Sequence, residues 1–317
     1  MSVLDMSSLN RIACIVPTYN GHDDLARLLD SLDKQSATFD LLVVDSSSKD
    51  GTNELAQKRV RNLSTIPSSQ FNHGGTRQMV VNQNPDYDIY VFMTQDAYLD
   101  DHDAIARLIA PFCDKRIGAV CGRQLAHLNA NPLAQHARLF NYPDSSQIKT
   151  ISDAPFLGLK TAFMSNSFAA YRADALLEVG GFPEHVIFAE DMYTTAKMLL
   201  SGWKVAYAGD ASCRHSHNYT LTEEFRRYFD MGVFHAREPW IRERFGSAGG
   251  EGLRYVKSEL RFLGTARFYL WPSAILRNAL KLLAYKIGQK EERISISIKK
   301  KLGMYKGYWD SPFRRKC

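Results

Sequence analysis

The stretch from Ile89 to Ala97 constrains the fold more than any other part of the chain. It is an apolar run rich in β-branched and aromatic residues, with aspartates at positions 86, 88, 100 and 101 on either side. This pattern predicts a buried strand in the middle of a parallel sheet. Asp96 comes at the end of that strand, and open α/β sheets bind ligands beyond the carboxyl ends of their strands. A carboxylate there is suited to holding a divalent cation.

Similar apolar runs recur along the first 210 residues, and most are followed by a polar turn and a helical pattern. Strands that alternate with helices are joined by crossover connections, which make the strands parallel. The sequence therefore predicts an α/β fold, in which a mainly parallel central sheet is flanked by helices. The predicted strands cover residues 12–17, 41–45, 62–66, 89–97, 117–121, 167–171 and 204–208.

Two regions depart from this alternation. Between Gln124 and Lys160 the periodicity weakens and Asn, Pro and Ser accumulate, which predicts a long, partly mobile segment with a functional role. From residue 221 onward the pattern is helical, and residues 251–317 contain 16 Lys and Arg against 5 Asp and Glu. We therefore expect an α/β domain over residues 1–220 and a helical, basic C-terminal region over residues 221–317.

Composition and motifs exclude several classes of protein. The apolar content of 45% is ordinary for a globular domain and too high for a disordered chain. The five cysteines form no C-x-x-C pair, so we expect reduced thiols in a cytoplasmic protein. No signal peptide is recognisable, and the apolar stretch at 268–276 is shorter than the ~20 residues of a spanning helix. A nicotinamide oxidoreductase is disfavoured because no G-x-G-x-x-G follows the first strand, and no nucleic-acid-binding module is present.

Four short motifs together resemble the family 2 glycosyltransferases, which have the nucleotide-sugar-binding GT-A fold. They are Ile15-Val16-Pro17-Thr18-Tyr19-Asn20, Val43-Val44-Asp45-Ser46 with Asp50-Gly51-Thr52, Thr94-Gln95-Asp96-Ala97, and Glu190-Asp191. Within that family, residues 71–77 and 285–288 are similar to bacterial rhamnosyltransferases that build O-antigen-type polysaccharide. The resemblance makes residues 1–220 the catalytic domain.

The resemblance implies an inverting sugar transfer. An acceptor hydroxyl attacks a nucleotide-diphospho sugar in line, a carboxylate serves as base, and a divalent cation, Mg²⁺ or Mn²⁺, assists. For a rhamnosyltransferase the donor is dTDP-β-L-rhamnose, and the acceptor is a lipid-linked saccharide at the cytoplasmic face of the inner membrane. Two alternatives stay open: the same fold with a UDP-hexose donor, and a non-catalytic protein that binds a nucleotide sugar or polysaccharide.

Asp96 is the predicted metal ligand. The sequence departs here from the commoner Asp-x-Asp of the family, because Gln95-Asp96-Ala97 offers one carboxylate. His215 or His217, which follow a late strand, would supply a second ligand, and by resemblance His215 is favoured. Imidazole suits Mn²⁺ better than Mg²⁺. The alternative is that both histidines only cover the surface or the edge of the core.

Asp191 is the predicted catalytic base. It lies with Glu190 at the start of a predicted helix, where the helix dipole favours an ionised carboxylate. Glu190 is the second candidate and is expected to contact substrate. Acids also favour helix starts for capping alone, which is the alternative interpretation of the pair.

The nucleotide is expected at the ends of the first two strands. By resemblance, Asp45 accepts a hydrogen bond from the nucleotide base, and Gln95 lies beside the donor. The alternative for Asp45 is a turn cap before three serines. The remaining residues expected to line this pocket are Pro17, Thr18, Tyr19 and Asn20.

The glycine pair in His73-Gly74-Gly75-Thr76-Arg77 predicts a flexible loop that approaches phosphate, with Arg77 neutralising the donor diphosphate. It is not a Walker loop, because the Gly-Lys-Ser/Thr ending is absent. The whole interpretation requires the acids at positions 45, 96 and 191 to converge on one cleft.

The basic tail predicts contact with an anionic membrane surface, where each basic residue contributes about 1 kcal/mol. Solvated helical faces or a subunit interface in an oligomer are the alternatives. The aromatic residues expected on this surface are Phe268, Tyr269, Trp271, Tyr285 and Trp309.

Overall fold

A computed structural model describes residues 11–246 and 250–314 and contains one eight-stranded sheet within these ranges. The strands lie in the order β3-β2-β1-β4-β7-β5-β8-β6. Strands β1 to β4 are mutually parallel, as are β5 and β8, whereas β7 and β6 run antiparallel to their neighbours. The strands are β1 Ile12–Thr18, β2 Asp40–Asp45, β3 Asn62–Thr65, β4 Ile89–Met93, β5 Ile117–Leu125, β6 Gln147–Lys149, β7 Phe168–Arg172 and β8 Lys204–Arg214.

Helices cover both faces of the sheet, which confirms the predicted α/β architecture with a helical C-terminal region. Successive side chains of a strand point to opposite faces, and β4 supplies both cores in this way. Tyr90 and Phe92 pack on one side, and Ile89, Val91 and Met93 pack on the other. The helices are α1 His22–Leu32, α2 Thr52–Arg59, α3 His73–Gln83, α4 Ala104–Ile109, α5 Pro132–Asn141, α6 Ala154–Leu157, α7 Ala173–Glu178, α8 Glu190–Leu200, α9 Leu221–Arg237, α10 Pro239–Phe245, α11 Glu251–Leu263, α12 Trp271–Gly288 and α13 Ile296–Leu302.

The prediction of a long irregular segment between Gln124 and Lys160 is wrong. This part of the chain contains α5, β6 and α6. Asn131 caps α5 by accepting a hydrogen bond from the Ala134 N–H at 2.9 Å, and Pro132 occupies the first helical position, where its missing N–H costs nothing. Strand β6 is held by antiparallel pairing with β8.

The C-terminal helices share the main core. Phe229 and Phe234 of α9 belong to the same buried cluster as the sheet residues Phe92 and Tyr171. Helices α9 and α12 approach closely at Gly232, where a Cβ would lie 2.2 Å from the Tyr285 carbonyl oxygen. No helix within the described ranges is long and apolar enough to cross a bilayer.

The structure also places Trp309 and most of the cysteines. Trp309 is fully buried, so its predicted place on an exposed tail surface is wrong; its indole packs against the Tyr308 ring and the Arg237 guanidinium. Among the described residues, Cys14, Cys113, Cys121 and Cys213 are free thiols, as expected, and Cys317 lies outside the described ranges.

Candidate active site

Two adjoining cavities lie at the carboxyl ends of β1 and β4. The first, the β1 cavity, has a volume of about 490 Å³. The second, the α8 cavity, has a volume of about 340 Å³ and contains both Asp96 and Asp191 in its walls. His73, Arg77 and Thr94 line both, so the two cavities form one continuous cleft.

Four residues predicted at the nucleotide pocket line the β1 cavity: Pro17, Thr18, Tyr19 and Gln95. The Tyr19 ring is exposed, with 52% of its surface accessible. The Gln95 side-chain amide accepts a hydrogen bond from the Tyr19 N–H at 2.8 Å and donates one to the Tyr19 carbonyl oxygen at 3.0 Å. This clamp fixes the loop after β1 against the end of β4.

Asp45 and Asn20 line neither the β1 cavity nor the α8 cavity; they connect the loops behind the β1 cavity. The Asp45 carboxylate is fully buried and accepts hydrogen bonds from the Thr18 hydroxyl, the Ser48 N–H and the Asn53 side-chain amide at 2.9 to 3.1 Å. The bond from Ser48 is the one expected of a turn cap. Asn20 joins the loops after β1 and β2, because its side-chain oxygen accepts the Lys49 N–H at 2.9 Å.

Asp96, His215 and His217 form a cluster in the α8 cavity. An Asp96 carboxylate oxygen lies 3.4 Å from His215 Nε2 and 3.7 Å from His217 Nδ1. One ligand atom from each residue lies within 4.8 Å of the others, and the three make a possible metal site among the described residues. Burial opposes ionisation of Asp96, but the His215 side chain beside it holds the pKa of this carboxyl well below its usual range.

The main chain brings these three residues together although β4 and β8 are not neighbours in the sheet. Tyr98 and Arg214 form an isolated β-bridge with hydrogen bonds of 3.1 and 2.7 Å, which joins the turn after β4 to the end of β8. His215 Nδ1 lies 2.9 Å from the Gln124 side-chain oxygen. Donation from Nδ1 to that oxygen leaves Nε2 free as a ligand, the arrangement typical of metal-binding histidines.

The cluster fits a divalent cation. One carboxylate oxygen and two imidazole nitrogens suit Mn²⁺ and other first-row metals, and phosphate oxygens of a substrate commonly complete such a site. Burial lowers the pKa of His215, and lowers that of His217 to about 3. Both imidazoles are therefore neutral near pH 7, which is the form that binds metal.

Asp191 lies in the first turn of α8 and faces the same cavity. Its carboxylate accepts hydrogen bonds from the Asn166 N–H at 3.1 Å and from its neighbour's N–H, that of Met192, at 2.7 Å. Burial and the adjacent Glu190 charge raise the pKa of Asp191 to about 7. A carboxylate of that pKa is matched to accepting a proton near neutral pH.

Arg77 and Glu190 form a buried ion pair, with 2.9 Å between Nη1 and Oε1. Glu190 also accepts a hydrogen bond from the Asn166 side-chain amide at 3.0 Å. Burial opposes its ionisation, but Arg77 and His73 lower the pKa of Glu190 below its usual value. The pKa values of the two neighbouring carboxyls are thus shifted in opposite directions, so Asp191 can take up a proton near neutral pH while Glu190 stays ionised.

The predicted flexible glycine loop is instead the first turn of α3, and this expectation is wrong. Asn72 caps the helix by accepting the Gly75 N–H at 2.8 Å. Gly74 is required by packing, since a Cβ there would lie 1.9 Å from the Pro183 carbonyl oxygen. Arg77 is therefore held on a rigid element, with 4% of its surface accessible.

Backbone strain is concentrated at this edge of the sheet. Ala189, immediately before Glu190, has φ of 59°, Asn20 after β1 has φ of 44° and Ser47 after β2 has φ of 58°. These are the non-glycine residues with positive φ among the described ranges. Left-handed conformations cost a non-glycine residue about 1–2 kcal/mol, and such strain accumulates at functional sites.

Several residues of the site are absent from the sequence prediction. Asn166 orients both carboxyls of the Glu190-Asp191 pair, and Gln124 orients His215. Arg227 and His73 line the α8 cavity. Asn166 stands in the polar triplet before β7, a signal that could have identified it, because β7 runs antiparallel to β4 and therefore starts where β4 ends.

The sequence model of glycosyl transferase family 2 matches residues 13–180, more than half of the chain, including the β1 and β4 strand ends. The chain belongs to glycosyl transferase family 2. This glycosyltransferase is 51% identical over 305 residues to the O-antigen chain rhamnosyltransferase RfbN of Salmonella typhimurium, covering 95% of the chain and 96% of the relative. It is 48% identical over 300 residues to the O-antigen chain rhamnosyltransferase WbaN of Salmonella anatum, covering 94% and 95%.

Solved structures confirm the GT-A-like fold of the glycosyltransferase. The mannosyltransferase PcManGT from Pyrobaculum calidifontis, in complex with GDP-Man and Mn²⁺, superposes with a TM-score of 0.64. The match covers 89% of this chain and 88% of that one at 18% identity.

Proposed function

We propose that this chain transfers L-rhamnose from dTDP-β-L-rhamnose to a hydroxyl of a lipid-linked O-antigen-type saccharide, with inversion at the sugar. The observation that carries the proposal is the α8 cavity, whose walls contain both the Asp96–His215–His217 cluster and Asp191. The names of the two relatives at about half identity support the choice of sugar and of acceptor class.

Asp191 acts as general base. Its carboxylate takes the acceptor hydroxyl proton while the hydroxyl oxygen bonds to C1 of rhamnose. The bond from C1 to the diphosphate oxygen breaks, and dTDP leaves with the electron pair. Asn166 and Met192 hold the carboxylate through their N–H groups, so its orientation is fixed before substrate binds.

Asp96, His215 and His217 would hold a divalent cation, Mn²⁺ in preference to Mg²⁺ because two ligands are nitrogen. When bound, the cation neutralises negative charge on the departing diphosphate. The nucleotide occupies the β1 cavity, where the exposed Tyr19 ring offers a stacking surface. Arg77 lines both cavities, and its buried Nε, which has no hydrogen-bond partner, offers an N–H donor between nucleotide and sugar.

The test is release of dTDP from dTDP-rhamnose in the presence of Mn²⁺ and a lipid-linked saccharide. Asp191→Asn should lower turnover by at least about 10²-fold, the usual contribution of a positioned base. Asp96→Ala should also lower turnover, because it removes a ligand of the cation. Asp23→Asn, an exposed acid on α1, is the matched control and should retain full activity. Full activity in Asp191→Asn would refute the assignment of the base.

A calorimetric titration with a panel of nucleotide sugars separates the donors. Tighter binding of dTDP-rhamnose than of UDP-hexoses is expected, and the reverse order would favour the alternative donor. Donor binding without turnover on any acceptor would favour the non-catalytic alternative.

We also infer that the glycosyltransferase rests on the cytoplasmic face of the inner membrane through α11, α12 and the turn between them. Phe268 and Tyr269 in that turn are exposed, at 68% and 66%. Helix α11 presents Arg254, Lys257 and Arg261 on one exposed face. The apolar residues that α12 leaves exposed are Trp271, Ile275, Leu276, Leu282 and Leu283.

Co-sedimentation with vesicles tests this surface. Binding to phosphatidylglycerol vesicles, and weaker binding to phosphatidylcholine vesicles, is expected. The double variant Phe268→Ser with Tyr269→Ser should reduce the bound fraction, whereas Leu177→Ser, at an even more exposed apolar residue on α7, should not. Equal losses in both variants would refute the inferred orientation.

A further inference from the structure

A third cavity lies beside the metal-ligand cluster and is not used in the chemistry above. It has a volume of about 180 Å³, and helices α5, α9, α11 and α12 enclose it together with the segment after β8. It shares His217 and Arg227 with the α8 cavity and has no lining residue in common with the β1 cavity. We call it the α5–α12 cavity. Its space equals several water molecules at about 30 Å³ each, enough for a phosphate group.

The walls of this cavity carry an excess of positive charge. Four cations face two carboxylates: Arg138, Arg227, Arg277 and Lys281 against Glu224 and Glu259. Glu224 already serves two of the cations, at 3.0 Å from Arg277 and 3.4 Å from Lys281. Glu259 accepts hydrogen bonds from the Asn278 side chain and from Tyr255, and burial raises its pKa. Neither carboxylate is left to neutralise the other two cations.

Arg138 and Arg227 therefore stand out. Within the described ranges neither guanidinium has a carboxylate at ion-pair distance. Arg138 lies 5.6 Å from the centre of the Tyr142 ring, and its buried Nε has no hydrogen-bond partner. Arg227 lies over the Phe188 ring at 4.7 Å. Both arginines are half-buried and line the cavity, and guanidinium groups bind phosphate through paired N–H donors.

We propose that the α5–α12 cavity binds a phosphate or diphosphate group of the lipid-linked acceptor. The inference rests on the proposed function for the identity of that acceptor. The donor diphosphate belongs elsewhere, because it must connect the β1 cavity to Asp96, whereas this cavity lies beyond His217. Helices α11 and α12 form its wall and also carry the exposed apolar surface inferred to meet the membrane. A phosphate between a lipid tail and a saccharide would thus lie between that surface and Asp191.

The first experiment measures binding without turnover. Inorganic pyrophosphate is titrated calorimetrically into the full chain in EDTA, which removes any contribution of bound metal. The wild type should bind, and Arg138→Gln should bind at least about tenfold more weakly, a change of 1.4 kcal/mol. Arg138→Lys should retain part of the affinity. Arg116→Gln, an exposed arginine just before β5 and outside the cavity, is the matched control and should bind as the wild type does. Equal affinity in Arg138→Gln and the wild type would overturn the proposal.

The second experiment separates acceptor from donor. Arg138→Gln should raise KM for a diphosphate-linked saccharide about tenfold, and should leave KM for dTDP-rhamnose and for the same saccharide without diphosphate unchanged. A rise in KM for the donor instead would assign the cavity to the donor diphosphate and overturn the proposal. If the wild type turns over no acceptor, the proposed function fails, and the pyrophosphate titration still decides whether the cavity binds phosphate.

Discussion

Replacing Glu190 with glutamine should move the acidic limb of the pH–activity profile to lower pH. The pKa of Asp191 is raised from 3.8 to about 7 by burial first and by the Glu190 charge second. Glu190→Gln removes the second cause and leaves the positive charge of Arg77 unneutralised nearby, and both changes favour the ionised form of Asp191. The pKa of Asp191 should therefore fall by roughly one unit while burial keeps it above 3.8.

The expected size of the effect follows from the ionised fraction. A base with a pKa of about 7 is only about one-tenth ionised at pH 6, whereas a base with a pKa of about 6 is half ionised there. Activity at pH 6, divided by the plateau activity of the same protein at high pH, should rise about fivefold in Glu190→Gln. The base works only when ionised, so the wild type should lose activity as pH falls through about 7.

The assay is kcat/KM for dTDP-rhamnose between pH 5 and 9 at saturating Mn²⁺. Breaking a buried ion pair costs about 3–5 kcal/mol of stability, so each variant is normalised to its own plateau and measured well below its melting temperature. Glu178→Gln, an exposed acid on α7, is the control. Burial lowers the pKa of His217 to about 3, so this ligand carries no proton that Mn²⁺ must displace between pH 5 and 9. Doubling the Mn²⁺ concentration should therefore not move the acidic limb. The reasoning is refuted if Glu190→Gln and the wild type share one acidic limb.

Three further predictions concern the supports of the site. Gln124→Leu removes the partner of His215 Nδ1 and should weaken Mn²⁺ binding about 10- to 100-fold in a calorimetric titration. Gln57→Leu, the control, should bind Mn²⁺ as the wild type does, and equal affinities in the two variants would contradict the role of Gln124. Gly74→Ala places a Cβ against the Pro183 carbonyl oxygen and should lower the melting temperature by several degrees, whereas Gly252→Ala, which meets nothing within 4 Å, should not; equal melting would refute the packing argument. Asp230→Ala leaves the N–H groups of Met304 and Tyr305 without their acceptor and should lower the free energy of unfolding by about 1–3 kcal/mol in urea; an unchanged value would show that water replaces the carboxylate.

Much of the sheet could be predicted because most of its strands have a local sequence signal, an apolar run followed by a polar turn. The predicted strands at residues 12–17, 41–45 and 89–97 are short, mostly apolar and followed by a polar turn. The structure has a strand at each of them, and the third ends earlier than predicted, at Met93. The common edge at which parallel strands end also explains why Asp96 and the histidines after β8 lie together. That meeting still depends on the Tyr98–Arg214 bridge, a contact across more than a hundred residues that no local pattern shows.

The failures have physical causes as well. Helix α5 begins at an Asn-Pro pair, which is a regular start signal, but the surrounding Asn, Pro and Ser residues concealed it. The sequence predicts the environments of Arg77 and Trp309 only from the chemistry of their own side chains. In the folded chain both side chains are buried against residues that are distant in sequence, Arg77 against Glu190 and Trp309 against Arg237. The local sequence shows neither contact.

The end of the chain returns to the beginning of the active cleft. The Tyr305 ring packs against His73 with 5.1 Å between ring centres, and its hydroxyl donates to the Phe71 carbonyl oxygen. Helix α9 meanwhile supplies Arg227 and Phe234 to the wall facing Asp191. A chimaera that joins residues 1–220 of one relative to the C-terminal region of another would therefore combine cavity walls from two different proteins around the site. An exchange of acceptor preference between relatives should succeed when α9 and the segment around Tyr305 are taken from the same relative as the α/β domain that they contact.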